Sequence, residues 1–173
     1  MGQKEKRILE IIHSTIYHPV DETEHEEFKN TLSSLLNSIP RSDEFIGGHN
    51  VNANLGVRSK IHRRVIGLYG INNRNNKGGI LLGLFSANKL RVINTFYEKS
   101  SYTTWRSFHT SNTCHMLDVI TSYVSFYKYI LDCGVTPKGF RSDHSAVQMV
   151  FLNRTIKFKS DYMERPVIDW VTA

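Results

Sequence analysis

The sequence predicts a mixed α/β sandwich with helices on the sheet faces. Three observations carry this. An Ile-rich apolar run, an amphipathic helical stretch and a second strand follow one another at the start. Several consecutive strand-like segments fill the second half. The 173 residues are 40% hydrophobic and 11% aromatic, enough for one domain with a real core.

The elements follow in order. Residues 7–17, RILEIIHSTIY, read as a strand buried in a sheet and bounded by Pro19. Asp21 to Ile39 follows as a helix, with Phe28, Leu32, Leu35, Leu36 and Ile39 on one apolar face. Thr23 and Glu26 have capping-box spacing at its start, and Pro40 stops it. A short strand, Glu44 to Gly47, opens into the loop GGHNVNANLG. Residues 57–79 are basic and then polar, which predicts a long surface loop. Ile80 to Asn88 reads as a helix, with Asn88 ending it in the left-handed conformation. Strands are expected at Leu90–Asn94, Tyr102–Trp105, Met116–Thr121, Tyr127–Cys133 and Ala146–Phe151. The last twenty residues read as polar and irregular. There is no internal repeat and no low-complexity tract.

Composition excludes some classes. No run of about 18 apolar residues occurs, so no membrane-spanning helix is expected. The start lacks an apolar stretch ending in small residues, so it does not read as a signal peptide. Cys114 and Cys133 cannot staple a domain of this size and form no Cys-x-x-Cys pair. An intracellular protein, nuclear or cytoplasmic and not secreted, is the expectation. The net charge of +6 suits a polyanionic partner such as nucleic acid, though many basic proteins bind nothing acidic.

Chemistry concentrates at Ser142-Asp143-His144, just before a strand. A histidine there is a candidate acid/base or phosphate-binding group, or else a solvated loop residue. Sequence neighbours on a strand point to opposite faces, so Asp143 should not orient His144. Asp118, set between Leu117 and Val119, is the candidate partner, because a carboxylate amid strand apolars is costly unless paired. The alternative is an aspartate on a wet strand face. Asn50 and Asn52 lie in the loop at 48–56. Their amides could hold a hard cation or a phosphoryl oxygen, or simply make the turn. Tyr17, at a strand end, could donate to a phosphate or be an ordinary surface or core tyrosine. Arg58, Lys60, Arg63, Arg64, Arg74 and Lys77 fall within twenty residues and read as a nucleic-acid-binding patch or a solvated loop.

The order of these motifs is more specific than any one of them. A strand ending Tyr-x-Pro, an amphipathic helix and Gly-x-x-x-Asn-Ala come first. Asn-Thr-x-Phe, Thr-Trp, apolar-Asp-x-Ile and Ser-Asp-His follow. From about residue 10 to 152 this resembles the endonuclease/exonuclease/phosphatase superfamily. It looks most like the branch at the front of non-LTR retrotransposon polyproteins. The resemblance implies a four-layer α/β sandwich over residues 7–152 and Mg²⁺-dependent hydrolysis of DNA phosphodiesters, with no small-molecule cofactor. By it, Tyr17 contacts the phosphate, Asn52 matches the family asparagine, and Asp118 orients His144, which binds or protonates the phosphate. Asp143 lies close to the metal. Thr104 with Trp105, and Asn94 with Thr95, match pairs that shape the site. The tail at 153–173, with ERPVIDWVTA, resembles the linker to a reverse-transcriptase region.

Two departures from the family pattern matter. The family reads Gly-Asp-x-Asn-Ala, but Asn50 stands where that aspartate orients and deprotonates the attacking water. An amide accepts no proton at any relevant pH, and losing a positioned general base costs roughly 10²–10⁴ in rate. The family also carries a metal-binding Glu on strands well before the tyrosine. Only sixteen residues precede Tyr17, and Glu5 and Glu10 lie too near that strand. The expectation is therefore a partial domain lacking its first strands, catalytically impaired. The alternatives are a non-catalytic nucleic-acid-binding module or a retrotransposon relic. The strand IIHSTIY should lie near an exposed sheet edge, with self-association through it.

Overall fold

Strand β1 (Leu9–Tyr17) ends short of Pro19 and leads through one 3₁₀ turn at Glu22–Glu24 into helix α1 (His25–Ser38). Strand β2 (Glu44–Asn50) and helix α2 (Asn76–Ala87) follow. Then come β3 (Leu90–Val92), β4 (Trp105–Arg106), β5 (Cys114–His115), β6 (Asp118–Tyr123), β7 (Ile130–Val135), β8 (Val147–Phe151) and β9 (Ile156–Phe158). This is a computed structural model, and it describes residues 9–19, 21–40, 42–108, 113–136, 142–152 and 156–158. Residues 1–8 and the tail 159–173 lie outside the described residues.

The main sheet has the order β3-β6-β2-β1-β9, with β1 and β2 parallel and β2 and β6 antiparallel. Strands β4 and β5 form a small pair of their own, and β7 and β8 another. Side-chain alternation along the main sheet sorts the core into two. Ile16, Phe45, Val92 and Val119 pack under Leu32 and Leu36 of α1 and Leu82 and Phe85 of α2. On the opposite face Ile46 and Ile93 join Phe126, Ile130 and Cys133, backed by Val147, Met149 and Phe151 of β8. The outward face of the β7-β8 pair exposes Leu131, Val150 and Leu152. Among the described residues no helix covers it.

The mixed α/β architecture is as expected, and several boundaries differ. Strand β2 runs to Asn50, not Gly47, because it has a partner on each side to its last residue. The stretch 57–79 is not wholly a surface loop. Val65 and Ile66 are buried, and Ile66 bridges to Val92. Helix α2 begins at Asn76, since Asn75 caps it by accepting from the Gly78 amide at 2.8 Å. Asn88 ends it with φ −92°; the left-handed residue is Lys89, φ 57°. No capping box forms at α1. The Thr23 hydroxyl and amide both donate to Asp21 at 2.9 Å, and Glu24 at the cap position makes no side-chain cap bond. Ile93 and Asn94, expected as strand, lie in the 3₁₀ turn Ile93–Thr95, and Tyr127 to Tyr129 lie in the 3₁₀ turn Phe126–Tyr129, while the strand expected at Tyr102–Trp105 is found at Trp105–Arg106. The tail region holds β9, which pairs in parallel with Leu9–Ile11 of β1. β1 is thus the second strand from that side, and its first residues are covered.

Behind the last turn of β2 lies a buried histidine pair. His18 Nε2 and His49 Nδ1 are 3.1 Å apart, and His49 Nε2 meets the Thr121 hydroxyl at 2.7 Å. Both rings pack against Phe85. Burial pushes the His49 pKa down to about 3. The unfolded chain takes up this proton near pH 6.5, whereas the native chain resists until about pH 3. His49 therefore favours the fold fully above pH 6.5, and that contribution is lost as pH falls below it. Stability in urea should drop by about 1.4 kcal/mol per pH unit from this one group below pH 6. In His49→Gln the pH slope should be flatter by that amount; an equal slope in both proteins would reject the assignment.

Candidate functional site

Strand register builds the site. Tyr17 pairs with Asn50, and Asn50 with Asp118, so the three form one row across β1, β2 and β6. The preceding row, Ile16, His49 and Val119, is buried. Period-two alternation therefore turns Tyr17, Asn50 and Asp118 to the other face. There they line a cleft of about 490 Å³ together with Ser142 and His144. Tyr17 is 65% exposed, its ring standing at the rim.

His144 Nδ1 lies 2.8 Å from Asp118 Oδ2. A carboxylate only accepts, so Nδ1 carries the proton and the tautomer is fixed. Asp143 turns away, as alternation predicts: its Oδ2 accepts from the Trp105 indole at 2.8 Å. That bond, ahead of weaker causes, holds the Asp143 carboxyl below its ordinary pKa.

Thr104 ties these pieces together. It is fully buried, and its Oγ1 accepts from the amides of both Leu117 and Asp118 at 2.8 Å. Its own amide donates to the His115 carbonyl at 3.0 Å, and its carbonyl accepts from the Ser145 amide at 2.7 Å. Trp105 bridges to His144. Asn94, buried, spans β6 from the other side, accepting from the Ile120 amide at 3.3 Å and donating to the Asp118 carbonyl at 3.4 Å. Sequence reading placed Thr104 and Trp105 in a structural pair but missed that they set both aspartates. Nothing in the local sequence marks a threonine as accepting from two amides thirteen and fourteen residues on.

Asn52 does not line the cleft. It has φ 43°, and its Nδ2 donates to the His18 carbonyl at 2.9 Å, while its amide donates to Asn50 Oδ1 at 3.2 Å. It shapes the strand end that presents Asn50. The basic residues divide. Arg58, Lys60, Arg63 and Arg64 are exposed. Arg74 donates to the carbonyls of Leu55 at 2.8 Å and Val57 at 3.0 Å, and Lys77 donates to the Pro19 carbonyl. Those two clamp the loop and are not arranged as a phosphate surface.

A magnesium ion needs several hard oxygen donors at one point. Here Asp118 engages the imidazole and Asp143 the indole. Among the described residues no group of three His, Cys, Asp or Glu side chains converges. This donor set does not by itself make a magnesium site.

Thr104→Val keeps the shape and removes the acceptor, leaving two half-buried amides unsatisfied. It should cost about 1–3 kcal/mol in urea unfolding and disturb the His144 imidazole resonances. Thr104→Ser should retain those resonances. Wild-type behaviour of the valine variant in both measurements would remove Thr104 from this role.

No protein-family model matches the chain, and no curated protein does. Solved structures do. The endonuclease domain of TRAS1, a telomere-specific non-LTR retrotransposon, superposes with a TM-score of 0.59 at 17% identity, covering 80% of this chain and 56% of that one. The 3′ phosphatase NExo from Neisseria, bound to a product DNA hairpin, gives 0.55 at 13% identity over 75% and 53%. The 3′-5′ exonuclease NExo from Neisseria meningitidis gives 0.53 at 11% over 75% and 54%. This chain spans a little over half the length of each. With the sheet order, the two packed faces and these likenesses together, the chain has the endonuclease/exonuclease/phosphatase fold.

Proposed function

We propose that this chain is a nucleic-acid-binding domain of endonuclease/exonuclease/phosphatase type, built for Mg²⁺-dependent phosphodiester hydrolysis but impaired as it stands. The observation that carries the reading is the His144–Asp118 pair at 2.8 Å, opening on the same cleft as Tyr17 and Asn50. An imidazole held by a carboxylate can hold or protonate a phosphate oxygen through its second nitrogen. Tyr17 would donate to the same phosphate. Nucleases and a DNA-bound phosphatase among the similar structures support DNA as the partner.

The impairment rests on donor chemistry. Asn50 occupies the cleft position where a water-activating carboxylate is needed, and its amide takes no proton. The two aspartates nearby are already engaged. The bare apolar face of Leu131, Val150 and Leu152 supports self-association of the isolated chain, read as dimer or larger species in sedimentation velocity; a monodisperse monomer would speak against it.

Plasmid incubated with the chain and Mg²⁺ should show no nicking beyond that in chelator. Asn50→Asp alone should stay near zero, because it restores a base without completing a metal site. Chelator-sensitive nicking by the unaltered chain, lost in His144→Ala, would overturn the impairment.

Duplex binding should weaken steeply with salt. Arg63→Ala with Arg64→Ala should flatten the log–log salt slope by about one to two units. Arg74→Ala, which breaks the loop clamp, should instead lower stability. An unchanged slope in the double variant would assign Arg63 and Arg64 to solubility alone.

A further inference from the structure

A second, smaller cavity adjoins the cleft. It measures about 180 Å³ and is lined by Ser101, Thr103, Arg106, Thr136 and Ser145, with Trp105 as an apolar wall. Its volume falls below the roughly 300–1,000 Å³ of small-molecule sites, so a base with its sugar does not fit, whereas one tetrahedral oxyanion does. The polar residues of the lining are two serines, two threonines and Arg106, its apolar ones are Trp105 and Val135, and no acidic residue is among them. Three of the hydroxyls have donor capacity left, while that of Thr136 gives its one proton to the Ala146 carbonyl. Ser101 Oγ accepts from the Thr103 amide at 3.4 Å and keeps its own proton to give. Thr136 Oγ1 donates to the Ala146 carbonyl at 3.3 Å and closes that side of the cavity. Among the described residues no hydrogen bond engages the Thr103 hydroxyl, the Ser145 hydroxyl or the Arg106 guanidinium.

The backbone under the cavity is fixed. The Ser145 amide donates to the Thr104 carbonyl at 2.7 Å, the Arg106 amide to the Asp143 carbonyl at 3.0 Å, and the Thr136 amide to the Ala146 carbonyl at 2.9 Å. The donors therefore stand on a braced floor joining β4, β7 and the turn that carries His144. Ser145 lines both this cavity and the cleft, so the two are neighbours with one residue between them.

We propose that this cavity is a second phosphate subsite. It holds a non-reacting phosphate of the strand whose neighbouring phosphate meets His144 and Tyr17. Arg106 supplies the charge, and Ser101, Thr103 and Ser145 the hydrogen bonds. This rests on the nucleic-acid reading above, and it gives Arg106, itself exposed, a role separate from that of the loop residues Arg58 to Arg64. The subsite positions the strand and takes no part in bond breaking.

The test titrates ¹⁵N-labelled full-length chain with two dinucleotides. TpT has one phosphate; pTpTp has one on either side as well, so strand polarity does not matter. A labelled short duplex is followed by anisotropy in parallel. The expected result is that pTpTp binds about tenfold tighter than TpT, the gain of one charge-assisted contact, and shifts the amides of Thr103, Thr136 and Ser145. Arg106→Ala should erase that gain and leave TpT binding unchanged. Arg63→Ala with Arg64→Ala should preserve the gain while weakening the duplex. A gain that survives Arg106→Ala, or pTpTp shifts confined to the loop at Arg58–Arg64, overturns the subsite while duplex binding keeps the parent reading. If neither dinucleotide nor duplex binds the wild-type chain, the parent reading falls and the subsite with it.

Discussion

A single buried threonine ties three other pieces of chain to its own. Thr104 Oγ1 receives the amides at the start of β6, and the residue's own backbone joins β5 and the turn after Asp143. Such a residue resolves a difficulty at strand ends, where amides leave the ladder but remain buried and need an acceptor. Asp118 is the first residue of β6 and would otherwise begin on an unsatisfied amide. With Thr104 in place, the carboxylate is delivered to His144 by rigid backbone. Next in sequence, Trp105 draws Asp143 the other way. Two aspartates near one histidine would compete for it; the Thr-Trp step assigns each a different partner.

The asparagine loop is equally constrained. Asn54 Oδ1 meets His115 Nδ1 at 2.8 Å, its amide donates to Asn75 Oδ1 at 3.2 Å, and its carbonyl accepts from the Asn75 amide at 3.2 Å. Helix α2 then presses so close that a Cβ on Gly78 would sit 1.9 Å from the Asn54 carbonyl oxygen. Only glycine fits at that point of the helix. The loop that follows Asn50 is thus wedged at Asn54 between the cap of α2 and the β4-β5 pair. The position of Asn50 is therefore set by a well-formed scaffold on both flanks.

The fold class was legible because the apolar periods are clean. Leu32, Leu36 and Ile39 mark the buried face of α1, and the alternation at Asp118–Tyr123 marks a strand with two covered faces. The His144–Asp118 pair was legible from the cost of leaving Asp118 unpaired. Less legible were features decided by distant contacts. Asn50 reads as a loop residue until β1 and β6 are seen to flank it. Arg74 reads as one more surface cation until its guanidinium is found on the Leu55 and Val57 carbonyls. The His18–His49 contact joins residues that carry no shared periodicity. Short strands such as β9 are set by the availability of an open edge, which composition does not record.

The pairing of β9 with β1 also bears on the order in which the domain assembles. Leu9 is among the first of the described residues made and Ile156 among the last, yet they are register partners in a parallel ladder. Parallel, non-local pairing is slow because chain entropy must be surrendered before the contact forms. At about 5–20 residues per second on the ribosome, β1 waits roughly 7–30 s for that partner. During this interval its outer edge is an open template, and a nascent chain in this state is a natural client for a chaperone that binds extended segments.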